Sequence, residues 1–140
     1  MKAISVRQPW AEFIMQGKKT VEVRKFNTSY RGPLLIHAAS IRGLAEFKKA
    51  NIGIELANSF QGQVFIGIVE LLDILVLTNE LWLKLAKQHL IPGIWSPKEH
   101  KFAWILDNPR RIKPIHYKGL PKIFLVNEKI ISSVEIEYNS

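Results

Sequence analysis

The stretch Ser5-Val6-Arg7-Gln8-Pro9-Trp10-Ala11-Glu12-Phe13-Ile14-Met15-Gln16-Gly17-Lys18-Lys19-Thr20-Val21-Glu22-Val23-Arg24 changes its periodicity twice, and that change decides how the chain is read. Before it, Lys2–Val6 alternates weakly and reads as a short first strand. Pro9 suits the first turn of a helix, where a missing N–H costs nothing. Trp10, Phe13 and Ile14 then follow at i, i+3, i+4 spacing and make one apolar face, and Gly17 is a natural stop. From Thr20 to Arg24 the alternation is strict. Val21 and Val23 turn towards a core, whereas Thr20, Glu22 and Arg24 share one exposed or cleft-facing surface. A strand–helix–strand unit therefore opens the chain.

Working outward, Asn27–Gly32 carries turn residues and Pro33–Ala39 reads as a strand. Arg42–Ala50 predicts a helix with Leu44, Ala45 and Phe47 inward. No element is assigned to Asn51–Gln61. Gln63–Leu77 is one long strand or two strands broken at a bend, with Gly67 marking a bulge or a close backbone approach. Asn79 caps a helix running to about His89, with Leu81, Trp82 and Leu85 inward. Ile91–His100 reads as a loop, and Trp95 within it as an exposed aromatic. Phe102–Leu106 is a strand ended by the Asn108-Pro109 turn. Ile115–Tyr117 and Lys122–Val126 are further strands, and residues 127–140 form a last strand or a tail. Roughly five to seven short strands with two to three outer helices indicate an α+β fold, a small, curved, mixed sheet or a mixed or antiparallel β-barrel, in a single domain over residues 1–140.

Composition bounds the function. The net charge is +8, and it is uneven: residues 1–49 hold ten Lys/Arg against three Asp/Glu, and a second basic segment runs over Lys101–Lys122. A focused positive field favours anionic partners. There is no cysteine, which excludes a disulfide scaffold, a thiolate nucleophile and sulfur-ligated zinc. The apolar run Gln63–Leu77 is too short for a membrane helix, which needs about 20 residues, and it contains Glu70 and Asp73. With no leader visible, a cytoplasmic location is the default expectation, and no membrane partner is expected. His37 lies beside Ala38 and reads as a satisfied buried histidine. His89, His100 and His116 show no ligand spacing, so no metal is expected. Ser5, Ser40 and Ser96 show no hydrolase context, and neither a phosphate-binding glycine loop nor a dinucleotide motif is present. No cofactor is expected.

The basic N-terminal stretch carries the candidate site. The helix start at Gln8–Trp10 offers unpaired N–H groups to an anion. Arg7 stands beside it, Lys18 and Lys19 lie at the helix exit, and Arg24 ends the next strand. Lysine meets phosphate as a point charge and arginine as a fork. Glu22 and Arg24 either pair with each other or turn to a ligand, and Lys18 and Lys19 otherwise form a solvated helix exit. Trp10 falls on the apolar face and reads as core. Tyr30, beside Arg31, is suited to stacking on a base.

These motifs resemble the ASCH domain, the activating signal cointegrator homology family of the PUA-like β-barrels. The resemblance extends through Tyr30-Arg31-Gly32, Leu34–Ala39, Gly67–Asp73, Asn108-Pro109 and Lys118–Phe124, about residues 4–125. It is closest to the cointegrator-type branch, which has a glutamate where this chain has Glu22. It implies a cleft between Arg7–Trp10, the Lys19–Arg24 strand and the late loops, and nucleic-acid binding there, RNA ahead of DNA. Side-chain chemistry assigns phosphate contact to Arg7, Lys18, Lys19 and Arg31, a donor and acceptor toward a base edge to Gln8, acceptance from a base amino group or orientation of Arg24 to Glu22, and bidentate binding of phosphate or a base to Arg24. Lys118 and Lys122 extend the positive rim. Another branch resembles an amidohydrolase acting on acylated cytidine, and a third is linked to ribonuclease activity. In a hydrolase reading, Lys19 and Glu22 would be catalytic. The amidohydrolase threonine falls on Glu22 here, and Thr20 is a poor substitute because two residues along a strand span roughly 7 Å.

Overall fold

The computed structural model describes residues 1–138. Six strands form one mixed sheet: β1 (Lys2–Val6), β2 (Val21–Arg24), β3 (Gly32–Ala38), β4 (Val64–Val76), β5 (Phe102–His116) and β6 (Ile123–Leu125). Their order is β2-β5-β4-β3-β1-β6, and the sheet curls into a half-barrel. β1 and β3 run parallel, with Ser5 opposite His37, while the other neighbouring pairs are antiparallel. The α+β barrel-like architecture is thus the one its periodicity predicts.

Curling a sheet takes bulges. β4 slips register against β5 between Phe65 and Gly67, between Ile68 and Glu70, and between Leu71 and Asp73. β3 slips against β4 between Ile36 and His37. The Asn108-Pro109 pair, predicted to end a strand, instead lies inside the 15-residue β5. Asn108 takes φ 51°, a left-handed conformation asparagine tolerates, and Pro109 sits in the irregular register between Asp107 and Arg110, where no ladder donor is needed. Ile115–Tyr117 is accordingly the end of β5 and its exit, not a separate strand.

Among the described residues, six short helices stand where two to three are predicted: α1 (Trp10–Met15), α2 (Ala45–Lys49), α3 (Ile54–Ala57), α4 (Asn79–Lys84), α5 (Ala86–His89) and α6 (Glu128–Ser132). Helices this short do not stand alone in water and persist through what they bury. Phe47 anchors α2, while Ala45, predicted inward, is exposed. The helix predicted from Asn79 to His89 breaks at Leu85. Its cap is Thr78, whose Oγ1 accepts from the Leu81 N–H at 3.1 Å. The tail forms α6 and then bridges Ile136 to Ile112; its last two positions lie outside the described residues. No helix among the described residues is long and apolar enough to cross a membrane.

Alternation along β3 divides the interior. Leu34, Ile36 and Ala38 face a core with Ile4, Val6, Trp10, Ile14, Met15 and Trp104. Leu35 packs on the opposite face with Ala3, Phe65, Ile68, Ile112 and Phe124. Burial on both faces explains why Leu34–Ala38 reads as a continuous apolar run. α1 presses so closely on β4 that a Cβ at Gly67 would stand 2.6 Å from Met15 Sδ. A third cluster, Val21, Leu77, Trp82 and Ala103, lies under α4 and α5. Trp82 stacks on His89 at 4.0 Å and on His100 at 4.5 Å. Trp95, predicted to be exposed, is half-buried against this cluster, and its Nε1 donates to the His100 carbonyl at 2.8 Å.

Candidate nucleic-acid interface

Because β1 and β3 are parallel neighbours, their C-terminal ends finish at the same edge of the sheet and their following loops emerge together. The turn between β5 and β6 joins them there. These segments enclose a cavity of about 480 Å³, whose wall includes Ser5, Arg7, His37, Arg42, Glu46 and Lys118. Arg7, Arg42 and Lys118 are exposed, and among the described residues none has a carboxylate within 4.0 Å. Glu46 is the carboxylate on the wall, and it is already engaged. It accepts from Trp10 Nε1 at 3.0 Å and pairs with Lys49 at 3.2 Å. Burial pushes its carboxyl up, but Trp10, Lys49 and, more weakly, Arg7 outweigh it and hold Glu46 below its ordinary range. The wall is therefore net positive, with its one negative group satisfied from behind. Lys122 precedes Ile123, which faces Ile4 in register, so it stands at this same end.

Behind the wall sits a second charged group of a different kind. Lys19 is 2 % exposed and Glu22 9 %. The Lys19 ammonium donates to the His89 carbonyl, lies 3.6 Å from Glu22 Oε1 and stands over the Trp10 ring at 5.6 Å. Burial depresses Lys19 below the ordinary lysine range, and Glu22 opposes the shift. Arg24 Nε is 3.1 Å from Glu22 Oε2, and its other arm donates to the Ser5 carbonyl. Arg24 thereby ties β2 to the end of β1. Glu22 and Arg24 pair with each other, one of the two alternatives their shared strand face leaves open. Lys19 holds Trp10, which in turn holds Glu46. The network braces the cavity.

The helix start differs from its sequence reading. The Ala11 and Phe13 N–H groups donate to the Arg7 and Pro9 carbonyls at 3.1 and 3.0 Å, and the Glu12 N–H donates to Gln8 Oε1 at 3.0 Å. Gln8 Nε2 is given to the Gln61 carbonyl at 3.1 Å. The Ala11, Glu12 and Phe13 donors of this first turn are spent within the protein, as is the amide expected to read a base edge.

The remaining predicted residues lie apart. Tyr30 and Arg31 precede β3 at the end remote from His37, roughly 20 Å away at strand rise. Arg31 donates to the Thr28 and Tyr30 carbonyls at 2.8 Å and pairs with Asp73 at 3.5 Å. The Tyr30 hydroxyl donates to the Pro33 carbonyl. Lys18 is exposed on the far side of α1 and lines a second hollow of about 620 Å³, floored by the Glu12–Arg111 pair. The ten predicted residues thus divide into cavity wall (Arg7, Gln8, Lys118, with Lys122 near), brace (Lys19, Glu22, Arg24) and outliers (Lys18, Tyr30, Arg31).

The ASCH domain family model matches residues 4–116. The chain belongs to the ASCH domain family. It is 30% identical over 137 residues to activating signal cointegrator 1 of Homo sapiens and 28% identical to that of Mus musculus. In both cases 91% of this chain aligns, and it spans 22% of the length of these curated relatives. The crystallised ASCH protein from Zymomonas mobilis is similar in fold: over 96% of this chain the TM-score is 0.69 both for a mutant, at 19% identity and 96% of that chain, and for the parent form, at 18% identity and 95% of that chain.

In this ASCH domain, sequence reasoning missed Arg42, Ser5 and His37 as members of one site. The local pattern places Arg42 in a helix, but it lies in the loop before α2. Ser5 and His37 are 32 positions apart and meet only because β1 and β3 pair; Ser5 Oγ is 2.9 Å from His37 Nδ1. His37 is buried with both ring nitrogens bonded, as a satisfied histidine should be. Nothing in the local pattern of either segment signals their meeting.

Proposed function

We propose that this domain binds nucleic acid, RNA in preference to DNA, by holding a phosphate and its attached nucleotide in the cavity rimmed by Arg7, Arg42 and Lys118. The observation that carries this reading is the convergence of three unpaired cations, from three separate segments, on one concave wall. A cavity of about 480 Å³ falls within the ~300–1,000 Å³ range of ligand pockets. The arginines meet phosphate as forks and Lys118 as a point charge, and Lys122 extends the field. Lys19, Glu22 and Arg24 act as positioning residues: they fix Trp10 and the end of β1 and do not touch the ligand. Hydrolysis through Lys19 and Glu22 is not favoured, because the Lys19 ammonium is already given to His89 and Glu22. Membership of the family shared with activating signal cointegrator 1 supports nucleic-acid association. The absence of cysteine suits a reducing compartment such as the cytoplasm.

The test is a titration with single- and double-stranded RNA and DNA at two salt concentrations. Wild-type affinity for RNA should fall steeply with salt, because released counterions drive such binding. Arg7→Ala, Arg42→Ala and Lys118→Ala combined should remove most of that dependence. Absence of binding, or binding unchanged in the triple variant, refutes the proposal.

A further inference from the structure

The hydrogen bonds around His37 have a definite polarity. His37 Nε2 lies 2.6 Å from the Tyr117 carbonyl oxygen. A carbonyl only accepts, so Nε2 carries the proton. Nδ1 then holds the lone pair, and the Ser5 hydroxyl, 2.9 Å away, is the donor. The result is a hydroxyl, a neutral imidazole and a fixed acceptor in series, the arrangement that activates a serine. Three strands enforce it: Ser5 and His37 are direct register partners on β1 and β3, and Tyr117 follows β5.

The surroundings favour a base over a cation. The imidazole packs edge-on against Phe65 at 5.2 Å, Tyr117 at 6.3 Å and Phe124 at 6.2 Å. Burial lowers the His37 pKa from its ordinary 6.5, and the Tyr117 carbonyl opposes the shift. Over the pair runs the main chain of the β5–β6 turn. A Cβ at Gly119 would stand 2.5 Å from both His37 Nδ1 and Ser5 Oγ, so that turn needs glycine and shields the proton-transfer path. Yet the pair is not sealed: Ser5 is half-buried, and both residues line the cavity that Arg7, Arg42, Glu46 and Lys118 also line.

We propose that Ser5 and His37 form a nucleophile–base pair that hydrolyses a carboxylic ester whose alcohol portion carries a phosphate. The phosphate preference rests on the reading of the cavity given above; the reactivity of Ser5 does not. Ser5 Oγ bonds to the ester carbonyl carbon as its proton passes to His37 Nδ1. The carbonyl oxygen takes up the negative charge in the field of the surrounding cations. The ester C–O bond then breaks, the alcohol leaves with the proton from His37, and the acyl group stays on Ser5. Water repeats the sequence at the acyl carbon, releasing the carboxylic acid and restoring the Ser5 hydroxyl.

A fluorophosphonate probe tests the nucleophile directly. Intact-mass and peptide analysis should find one phosphonyl group per chain, on Ser5, and none on the Ser5→Ala variant, which loses only a hydroxyl. His37→Gln should slow labelling by about 100-fold or more, in the range of general-base effects. The labelling rate should be constant above pH 6.5 and fall in more acidic buffer as His37 takes up a proton. Arg7, Arg42, Glu46 and Lys118 are the charged groups on the shared wall, and Tyr117 is the titratable group packed on the ring. Hydrolysis of 3′-O-acetyladenosine 5′-monophosphate should exceed that of 3′-O-acetyladenosine in kcat/KM. That preference should shrink in Arg42→Ala/Lys118→Ala. A folded wild type that takes no label, or takes it elsewhere than Ser5, overturns the proposal whether or not it binds RNA. Labelling at Ser5 without RNA binding upholds the nucleophile and refutes only the preceding reading.

Discussion

Two sets of charged side chains flank Ser5, and they differ in what surrounds them. Lys19, Glu22 and Arg24 are packed between α1, β2 and the end of β1, with Lys19 almost wholly out of reach of water. Arg7, Arg42 and Lys118 stand in solvent around the cavity. Both sets are basic, and both come largely from the motifs that mark the family. Their surroundings give them opposite work. A buried charge must be matched at close range, because desolvation of an unmatched ion costs several kcal/mol. An exposed cation loses little by waiting unpaired, and it keeps its field for an incoming anion. Of the two, only the exposed set is free to bind.

The largest expected effect falls on the buried set. Glu22→Ala leaves Lys19 and Arg24 without their shared carboxylate, and breaking such a pair costs roughly 3–5 kcal/mol. Thermal melting should show a loss on the order of 10 °C. An unchanged melting temperature would mean that Lys19 reaches water and that the two sets do not differ. The combined Arg7→Ala, Arg42→Ala and Lys118→Ala variant should behave in the opposite way. Its affinity for single-stranded RNA should drop by about 100-fold at low salt, and the slope of log affinity against log salt should become shallower by about 2. Its stability should stay within roughly 0.5 kcal/mol of wild type, as for most surface changes.

Acid sharpens the contrast further. His37, His89 and His100 all have pKa values lowered from 6.5, in each case mainly by burial. The unfolded chain binds protons at these sites before the folded one does. Their contribution to stability is therefore complete above pH 6.5 and is lost as pH falls towards the folded values. Melting temperature measured against pH should be flat above pH 7 and decline below 6.5. His37→Gln should make that decline shallower. The smallest effects belong to Lys18→Ala and Arg31→Ala. Arg31 is tied to its own loop and to an exposed Asp73, and such surface pairs contribute little. RNA affinity should change by less than about threefold in fluorescence titrations of either variant, as expected for cations remote from the cavity.

How much was legible depended on the range of the interaction. The shift from alternation to helical spacing and back between Ser5 and Arg24 placed β1, α1 and β2, because side-chain direction in each element follows from its own repeat. The Asn108-Pro109 pair misled. It is a turn signal in an isolated segment, but β4 supplies a partner long enough to carry the chain through it as a bulge. The helix at Asn79–His89 was legible as helix and not as two, since the break at Leu85 follows from packing over Trp82 and His89. Arg7 and Lys118 stand out in the sequence by charge, and both line the cavity. Gln8 has a two-sided amide that suits a base edge, and that same versatility lets the helix start and Gln61 claim it.

The sequence by itself determined the α+β class, the basic character of one end and the family, since all three reside in local pattern and composition. Only the tertiary structure decided which cations are buried and which are free, and that Ser5 meets His37. Burial and register are properties of pairs of segments far apart in the chain. The parallel pairing of β1 with β3, not any motif within either strand, brings hydroxyl, imidazole and cavity to one edge of the sheet.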